Sequence, residues 1–212
     1  MRSTFGSSRL VRQLAPWVQA GAEPSAPDFA ERLSLWLGAF DAIRLQAAHQ
    51  AVRSIATTGA PARAPRPPDL AEDVRRVRSV LAKAIAQPVD ASESGYAPWQ
   101  QRHLELQRQM EMMIAPVREH ARLALGRRSP RLRKLAVLDA AMEQMLAPRE
   151  QALLPKAVAV LRRRHAQLAS DGAAPDVFAS EWRQALLAEL DLRLEPVAGL
   201  AEALQNDVKN KA

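Results

Sequence analysis

The strongest candidate for binding chemistry is a short basic stretch at residues 127–134, which we call the basic corner. Arg127 and Arg128 are expected to end one helix, where the helix dipole favours cations. The cations that follow Pro130 fall in the first turn of the next helix, where the same dipole disfavours them. An anion would relieve that repulsion, and the free amides after Ser129 would help to hold it. The candidate contact residues are Arg127, Arg128, Ser129, Arg131, Arg133 and Lys134.

Three sources of such an anion fit the pattern: a phosphate, an acidic protein surface, or the chain's own acidic C-terminal helix. Residues 101–134 hold nine basic and three acidic residues, whereas residues 175–212 hold four basic and seven acidic residues. This asymmetry favours contact between oppositely charged parts. The alternative interpretation is a solvated turn with ordinary counterions.

A second basic tract, Arg162-Arg163-Arg164, is only weak evidence for a nucleic-acid-binding surface. Successive helical residues differ in direction by about 100°, so three of them spread over roughly 200° and cannot line one surface. Base-stacking aromatic residues and glycine-rich loops are also lacking. Nucleic-acid binding through the basic corner is therefore the alternative function, not the first one.

Groups typical of catalysis are sparse and scattered. The four histidines are His49, His103, His120 and His165. His103 and His120 would lie about 25 Å apart on one straight helix, too far for a common metal, so we expect packed or partly exposed histidines. The acidic pairs Glu72 with Asp73 and Glu111 with Glu119 stand among arginines, whereas catalytic carboxylates need burial or a like-charged neighbour. The chain also has no cysteine, which excludes disulfides, thiol catalysis and cysteine-ligated metals. From the histidines, carboxylates and cysteine count together we expect no catalytic site, no cofactor and no metal.

Composition predicts an all-α protein. The chain has 212 residues, of which 48% are hydrophobic and only 4% aromatic. Much of the apolar fraction is Ala and Leu, which favour helices, and β-branched runs are missing. No window approaches 18 uninterrupted apolar residues, so no transmembrane segment is expected.

The pattern of residues 1–56 predicts helices that pack on the helical bundle formed by the later residues. A first helix is expected over Ser8–Ala20, with an Arg- and Ser-rich organellar transit peptide at residues 1–12 as the alternative. A capping box at Ser25 to Asp28 starts the apolar pattern that runs to Ile55, either as two helices or as one helix bent at Gly38. Residues 57–68 are rich in proline and predict an exposed linker.

Residues 69–206 predict a helical bundle that contains a long hairpin at residues 99–169. Asp69 caps a helix with a bundle seam of Leu70, Val74, Val77, Leu81 and Ala84. The first arm of the hairpin keeps heptad spacing. Its seam is Trp99, His103, Leu106, Met110, Met113, Val117, His120 and Ala124. Ser129 and Pro130 start the second arm as cap and first-turn proline.

Prolines inside the predicted helices indicate bends. Pro116 favours a kink in the first arm, and Pro148 with Pro155 should curve the second arm or break it near Ala147. Asp171 to Pro175 stop that arm, and Pro196 bends or restarts the next helix. Residues 207–212 read as a frayed tail. The methionines of the two arms, which fill a core or form an adaptable docking surface, are Met110, Met112, Met113, Met142 and Met145.

Several blocks resemble a known family. They are residues 28–38, Asp41 to Leu45, Leu135 to Met142, Ala147 to Glu150 and Leu161 to Arg164. They resemble an uncharacterised, mainly proteobacterial helical family catalogued only as a domain of unknown function. Members of that family tend to be encoded beside envelope proteins, including ones similar to peptidoglycan-anchoring and stator-type membrane proteins. The resemblance implies a cytoplasmic accessory to an envelope complex and provides no catalytic residues.

The sequence thus predicts an elongated all-α bundle of six or seven helices around a proline-bent hairpin. We expect a non-catalytic interaction or adaptor protein of the bacterial cytoplasm, with a protein partner. Helical seams of this kind also permit a homo-oligomer.

Overall fold

The structure, a computed structural model, describes residues 8–17, 39–56, 68–89 and 95–209. Six α-helices and one 3-10 turn, with no strand, make up the regular structure of these residues. They are α1 (Arg9–Leu14) with the turn Ala15–Trp17 after it, α2 (Ala39–Ser54), α3 (Leu70–Ala86), α4 (Ala97–Gly126), α5 (Pro130–Ser170) and α6 (Pro175–Lys209). The all-α prediction is confirmed. No helix in the described ranges has the length and apolar character that crossing a bilayer requires.

Local capping chemistry sets the helix ends. The side chains of Ser8, Asp69 and Ser129 each accept a hydrogen bond, at 3.0 to 3.3 Å, from the backbone amide three residues ahead. Each bond satisfies one of the amides that the first turn leaves without a partner. Gly172, between α5 and α6, has a φ of +66°, a left-handed conformation that glycine adopts without strain. The caps predicted at Asp69 and Ser129 and the predicted stop after the hairpin are therefore present.

α6 lies at the centre of the bundle and packs against α1, α3, α4 and α5. Trp182, Leu186, Leu190 and Val197 of this helix are fully shielded from solvent. The hairpin that the sequence placed at the centre is formed by α4 and α5, but both arms also rest on α6. α2 packs against α5, on the outside of the bundle.

Two apolar clusters fill the bundle. The larger one contains Trp99, Phe178 and Trp182, with the Trp99 ring 5.1 Å from each of the other two rings in edge-to-face arrangements. The smaller cluster lies around the hairpin turn. It consists of Leu70, Ala121, Leu125, Leu132, Ala136, Leu200, Ala201 and Leu204. The two clusters together hold both ends of the hairpin on α6.

The predicted seam of α4 is correct through Met110 and then slips by one residue. Beyond that point Ile114, Ala121 and Leu125 are buried. Met113, Val117 and Ala124 are only partly buried, and His120 is exposed. A helix has 3.6 residues per turn, so a strict heptad pattern drifts by about 20° per heptad on a straight helix. The buried positions follow the 11-residue spacing from Met110 to Ala121 instead.

Of the two alternatives predicted for α5, a curve or a break near Ala147, the break does not occur, because the helix continues through both Pro148 and Pro155. α4 likewise continues through Pro116, and α6 continues through Pro196 without a restart. A proline has no amide hydrogen, so each of these residues leaves the carbonyl four positions earlier without its helical donor.

α2 docks where one such carbonyl is released. Pro148 frees the carbonyl of Gln144, and Arg44 Nη1 of α2 donates to it at 3.4 Å. Beside it, Arg149 pairs with Asp41 of α2 at 2.6 Å. Pro148, which in the sequence indicated a bend, therefore lies where α2 docks on α5.

Some predicted features lie outside the described residues. These are residues 18–20 of the predicted first helix, the capping box at Ser25 to Asp28, the helix through Phe29 and Leu37, the bend at Gly38, most of the 57–68 linker, residues 1–7 and residues 210–212. α6 extends to Lys209, three residues into the segment predicted to be frayed.

Replacing Leu186 with Ala should destabilise the fold by about 2–5 kcal/mol, because the fully buried side chain leaves a cavity in the larger cluster. Urea unfolding followed by circular dichroism measures this change. Leu192→Ala on the same helix, where the side chain is 38% exposed, is the matched control and should change the free energy of unfolding by less than about 1 kcal/mol. Equal losses in the two variants would contradict the placement of α6.

Candidate functional site

The basic corner is partly occupied by contacts within the protein. Arg133 turns back across the hairpin, and its Nε donates to the carbonyl of Gly126 at 2.9 Å. This bond satisfies one of the carbonyls that the end of α4 leaves without a partner. Arg127 and Arg131 are exposed, and Lys134 is half-buried.

The C-terminal helix provides a carboxylate to the corner. Arg128 Nε lies 3.4 Å from Asp207 Oδ2, and Ser129 Oγ donates to Asp207 Oδ1 at 3.4 Å. Of the three anion sources considered from the sequence, the chain's own acidic helix is therefore the one seen at Arg128. Arg131 lines a cleft of about 620 Å³ whose walls also carry Glu202, Asp207 and Lys209. The charges in this cleft are mixed, so it is not a uniformly basic surface.

A buried polar cluster lies between α4 and α6, where the sequence predicted only packing. Glu189 is 3% exposed and accepts hydrogen bonds from Gln107 Nε2 at 3.0 and 3.2 Å and from Arg193 Nε at 2.9 Å. His103 Nε2 lies 3.6 Å from a Glu189 oxygen. Arg193 also reaches Glu150 of α5 at 2.8 Å. The cluster thus links all three long helices.

The neighbours of Glu189 keep its carboxylate charged. Burial by itself raises the pKa of a carboxyl group, but His103 and Arg193 outweigh it, and the pKa of Glu189 lies below its ordinary value. Within the described part of the chain, no set of three or more His, Asp or Glu residues is placed to hold a metal ion. A buried carboxylate tied to an arginine and an amide is suited to fixing helix positions, because its oxygens are occupied by internal donors.

A second ionic cluster joins the two arms of the hairpin near its turn. Arg118 contacts Asp139 at 2.7 Å and Glu143 at 3.2 Å, and Arg122 contacts the same two carboxylates at 2.7 and 2.6 Å. Burial of Asp139 tends to raise the pKa of its carboxyl group, but the hydrogen bonds and charges of the two arginines lower it below the usual value. This cluster fixes the register of the hairpin.

The outer surface of the hairpin carries apolar features that no described element covers. A groove of about 390 Å³ lies between α4 and α5 and is lined mainly by Leu104, Leu154, Pro155, Val158 and Ala159. Further round α5, one row of large apolar side chains is 43–45% exposed. We call this row the α5 stripe, and it consists of Leu138, Met142, Leu146 and Leu153.

The histidines and methionines divide between core and surface. His103 is buried, His165 is half-buried against Phe178 and Tyr96, and the other two histidines are exposed. Met110 and Met145 are buried, whereas Met112 is 69% and Met142 45% exposed. Met110 and Met145 therefore fill the core, whereas Met112 and Met142 lie on the surface.

The sequence contains a signal for the buried cluster in the spacing of its polar residues. Glu189 follows Trp182 by seven residues and Leu186 by three, so it lies on the apolar face of α6. His103 was already on the predicted seam of α4, and Gln107 follows it by one turn. Polar residues in a core position need partners, and their coincidence on two helices predicts a contact.

Comparison with known proteins gives a family match. The model of a family described as "Protein of unknown function (DUF3348)" matches residues 1–206. No curated protein and no solved structure matches the chain. The resemblance to an uncharacterised domain family is confirmed, and the match carries no assigned activity.

Glu189→Leu should destabilise the protein by about 3–5 kcal/mol, because it keeps the side-chain volume but leaves Arg193 and Gln107 without their buried acceptor. Chemical denaturation at neutral pH measures the loss. Glu202→Leu, at an exposed position of the same helix, should stay within about 0.5 kcal/mol of the wild type. A Glu189→Leu variant as stable as this control would show that the buried cluster adds nothing to stability.

Asp139→Asn should make stability less dependent on pH under acid conditions. The folded protein holds the pKa of Asp139 below the ordinary value of 3.8. Its charge therefore stabilises the fold fully above that value, and the stabilisation is lost as the pH falls through the lower folded pKa. Urea unfolding between neutral pH and about pH 3 should show a smaller decline for Asp139→Asn than for wild type. Glu195→Gln, at an exposed position, is the control, and an identical decline in Asp139→Asn and wild type would refute the assignment.

Proposed function

The chain belongs to the DUF3348 family of proteins of unknown function, and from that premise we propose that it is a non-catalytic adaptor that binds another protein through the α5 stripe. The observation that carries this proposal is the exposure of the stripe. Its four side chains are 43–45% exposed although each is large and apolar. An exposed row of large apolar side chains on one helix face is a feature of protein interaction sites.

The geometry of the stripe suits a helical partner. Leu138, Met142, Leu146 and Leu153 follow one another at steps of 4, 4 and 7 residues. These steps place the four side chains within about 80° of one another around the helix. A partner helix with the same spacing can interdigitate with them. α5 has 41 residues, which corresponds to roughly 60 Å and offers a long contact line.

The ionic groups around the bundle support a scaffold role. Arg122 of α4 pairs with Asp139 of α5, and Arg149 of α5 pairs with Asp41 of α2. Within α6, Arg193 pairs with the buried Glu189. Such contacts keep the surface of α5 in one conformation, so this protein loses less conformational entropy when a partner binds. The protein is thereby suited to present a rigid surface.

We further propose that the protein acts in the cytoplasm as an accessory to an envelope-associated bacterial complex. This setting is what the family resemblance implies. Nucleic acid is the alternative partner, favoured by the exposed Arg127 and Arg131 of the basic corner. That alternative predicts retardation of DNA or RNA at about 50 mM salt that weakens steeply at higher salt. Retardation should also be lost when Arg127, Arg128, Arg131 and Arg133 become Ser.

A photo-crosslinking amino acid at Met142 should capture one partner protein in native cells. Leu146→Glu should reduce that yield by roughly tenfold or more, because it places a charge in an apolar contact. The same amino acid at Arg76, an exposed position of α3, is the control. Mass spectrometry identifies the captured protein, and its fractionation with the envelope tests the cellular setting. Capture that is equal at Arg76, or unaffected by Leu146→Glu, would refute binding through the stripe.

A further inference from the structure

We infer that the groove between α4 and α5 binds an acidic amphipathic helix of a protein partner. This inference rests on the proposed adaptor function but concerns a different surface, on the other side of α5 from the stripe. It follows from the shape of the groove, from the charges along its rim and from a backbone carbonyl in its wall.

The groove has the dimensions and surface of a helix-binding site. Its walls come from Gln100 to Gln107 of α4 and from Gln151 to Arg162 of α5. These segments correspond to roughly 10 and 16 Å of helix, or two to three turns. Leu104 in its wall is 40% exposed. An apolar channel between two helices accepts a third helix through side chains spaced three and four residues apart.

The rim of the groove is basic. Arg162 lines the groove itself. Arg163 shares the face of Ala159 on α5, Arg108 lies one turn beyond Leu104 on α4, and both are exposed. Glu111, one turn beyond Gln107, is the acid next to them.

Arg108, Arg162 and Arg163 have no ion pair among the described residues. Their neighbours do: Arg102 of α4 pairs with Glu105, and Arg164 of α5 pairs with Glu181 at 2.7 Å. Arg102 and Arg164 are thus neutralised by contacts within the fold, whereas the three arginines along the groove are not. Acidic side chains on the flanks of a bound helix would complement this rim.

The wall of the groove also offers a hydrogen-bond acceptor. Pro155 has no amide hydrogen, so the carbonyl of Gln151 lacks its helical donor, and both residues line the groove. At Pro148 the corresponding carbonyl is met by Arg44 of α2. The same chemistry at Gln151 is therefore open to a donor from a bound partner.

The absence of cysteine from the chain allows a direct test on the whole 212-residue chain. Ala159→Cys, labelled with an environment-sensitive fluorophore, reports on the groove. Two helical peptides of about 18 residues serve as probes. Both carry the same leucine stripe, but one is flanked by Glu and the other by Lys. We expect the Glu peptide to bind at least tenfold more tightly.

Charge reversal locates the binding. In the labelled protein, Arg162→Glu combined with Arg163→Glu should weaken the Glu peptide at least tenfold. Arg76→Glu on α3, where the arginine is also exposed but away from the groove, should leave its affinity unchanged. Equal affinity for the two peptides, an equal effect of Arg76→Glu, or no binding of the Glu peptide would each overturn the inference.

Other occupants give different outcomes. A fluorescence response to vesicles of anionic phospholipid but not to the Glu peptide would replace the protein partner with a membrane surface and overturn the inference. A response that depends only on protein concentration would point to a second copy of the chain and overturn it as well. If crosslinking at Met142 persists but the Glu peptide does not bind, only the inference about the groove is refuted. If the peptide binds but Met142 captures no partner, only the proposal about the α5 stripe is refuted.

Discussion

A carboxylate in the middle of a helical bundle constrains the whole arrangement. Glu189 is 3% exposed, and a charge buried to that degree is tolerated only when its oxygens are hydrogen-bonded. Gln107 approaches from α4, Arg193 comes from the same helix as Glu189, and Glu150 of α5 holds Arg193 in turn. Sliding any of the three long helices by one turn would separate these atoms by about 5 Å. Apolar side chains alone would permit such a slip far more readily, so the buried charge selects one register.

Proline has a different effect in this protein from the one usually expected of it. Four prolines lie inside three continuous helices. Each removes an amide and frees a carbonyl, which creates an acceptor on a helix surface that would otherwise have none. At Gln144 the acceptor is used by Arg44 from a separate helix. Residues that weaken a helix locally thereby give its surface specific points of attachment.

The sequence predicted what depends on local chemistry and missed what depends on register between helices. Caps at Asp69 and Ser129, the stop before Pro175 and the apolar phase of α4 up to Met110 all follow from neighbouring residues. The slip of that phase beyond Met110 arises from the mismatch between 3.5 and 3.6 residues per turn, which grows with helix length. Gln107 and Glu189 are far apart in sequence, and so are Arg128 and Asp207, for which the sequence indicated the acidic helix but not the residue. Their distances follow from packing, which composition and spacing alone do not define.

The contact between α1 and α6 has a consequence for biosynthesis. Arg9 pairs with Asp191 at 3.0 Å across 182 positions of sequence, and Trp17 lies 5.7 Å from the guanidinium of Arg164. At roughly 5–20 residues per second, a ribosome makes Asp191 about 10–40 s after Arg9. The hairpin, whose ionic contacts span only 17 to 25 positions, can close long before then. Among the described helices, α1 is therefore the one that waits longest for its docking site.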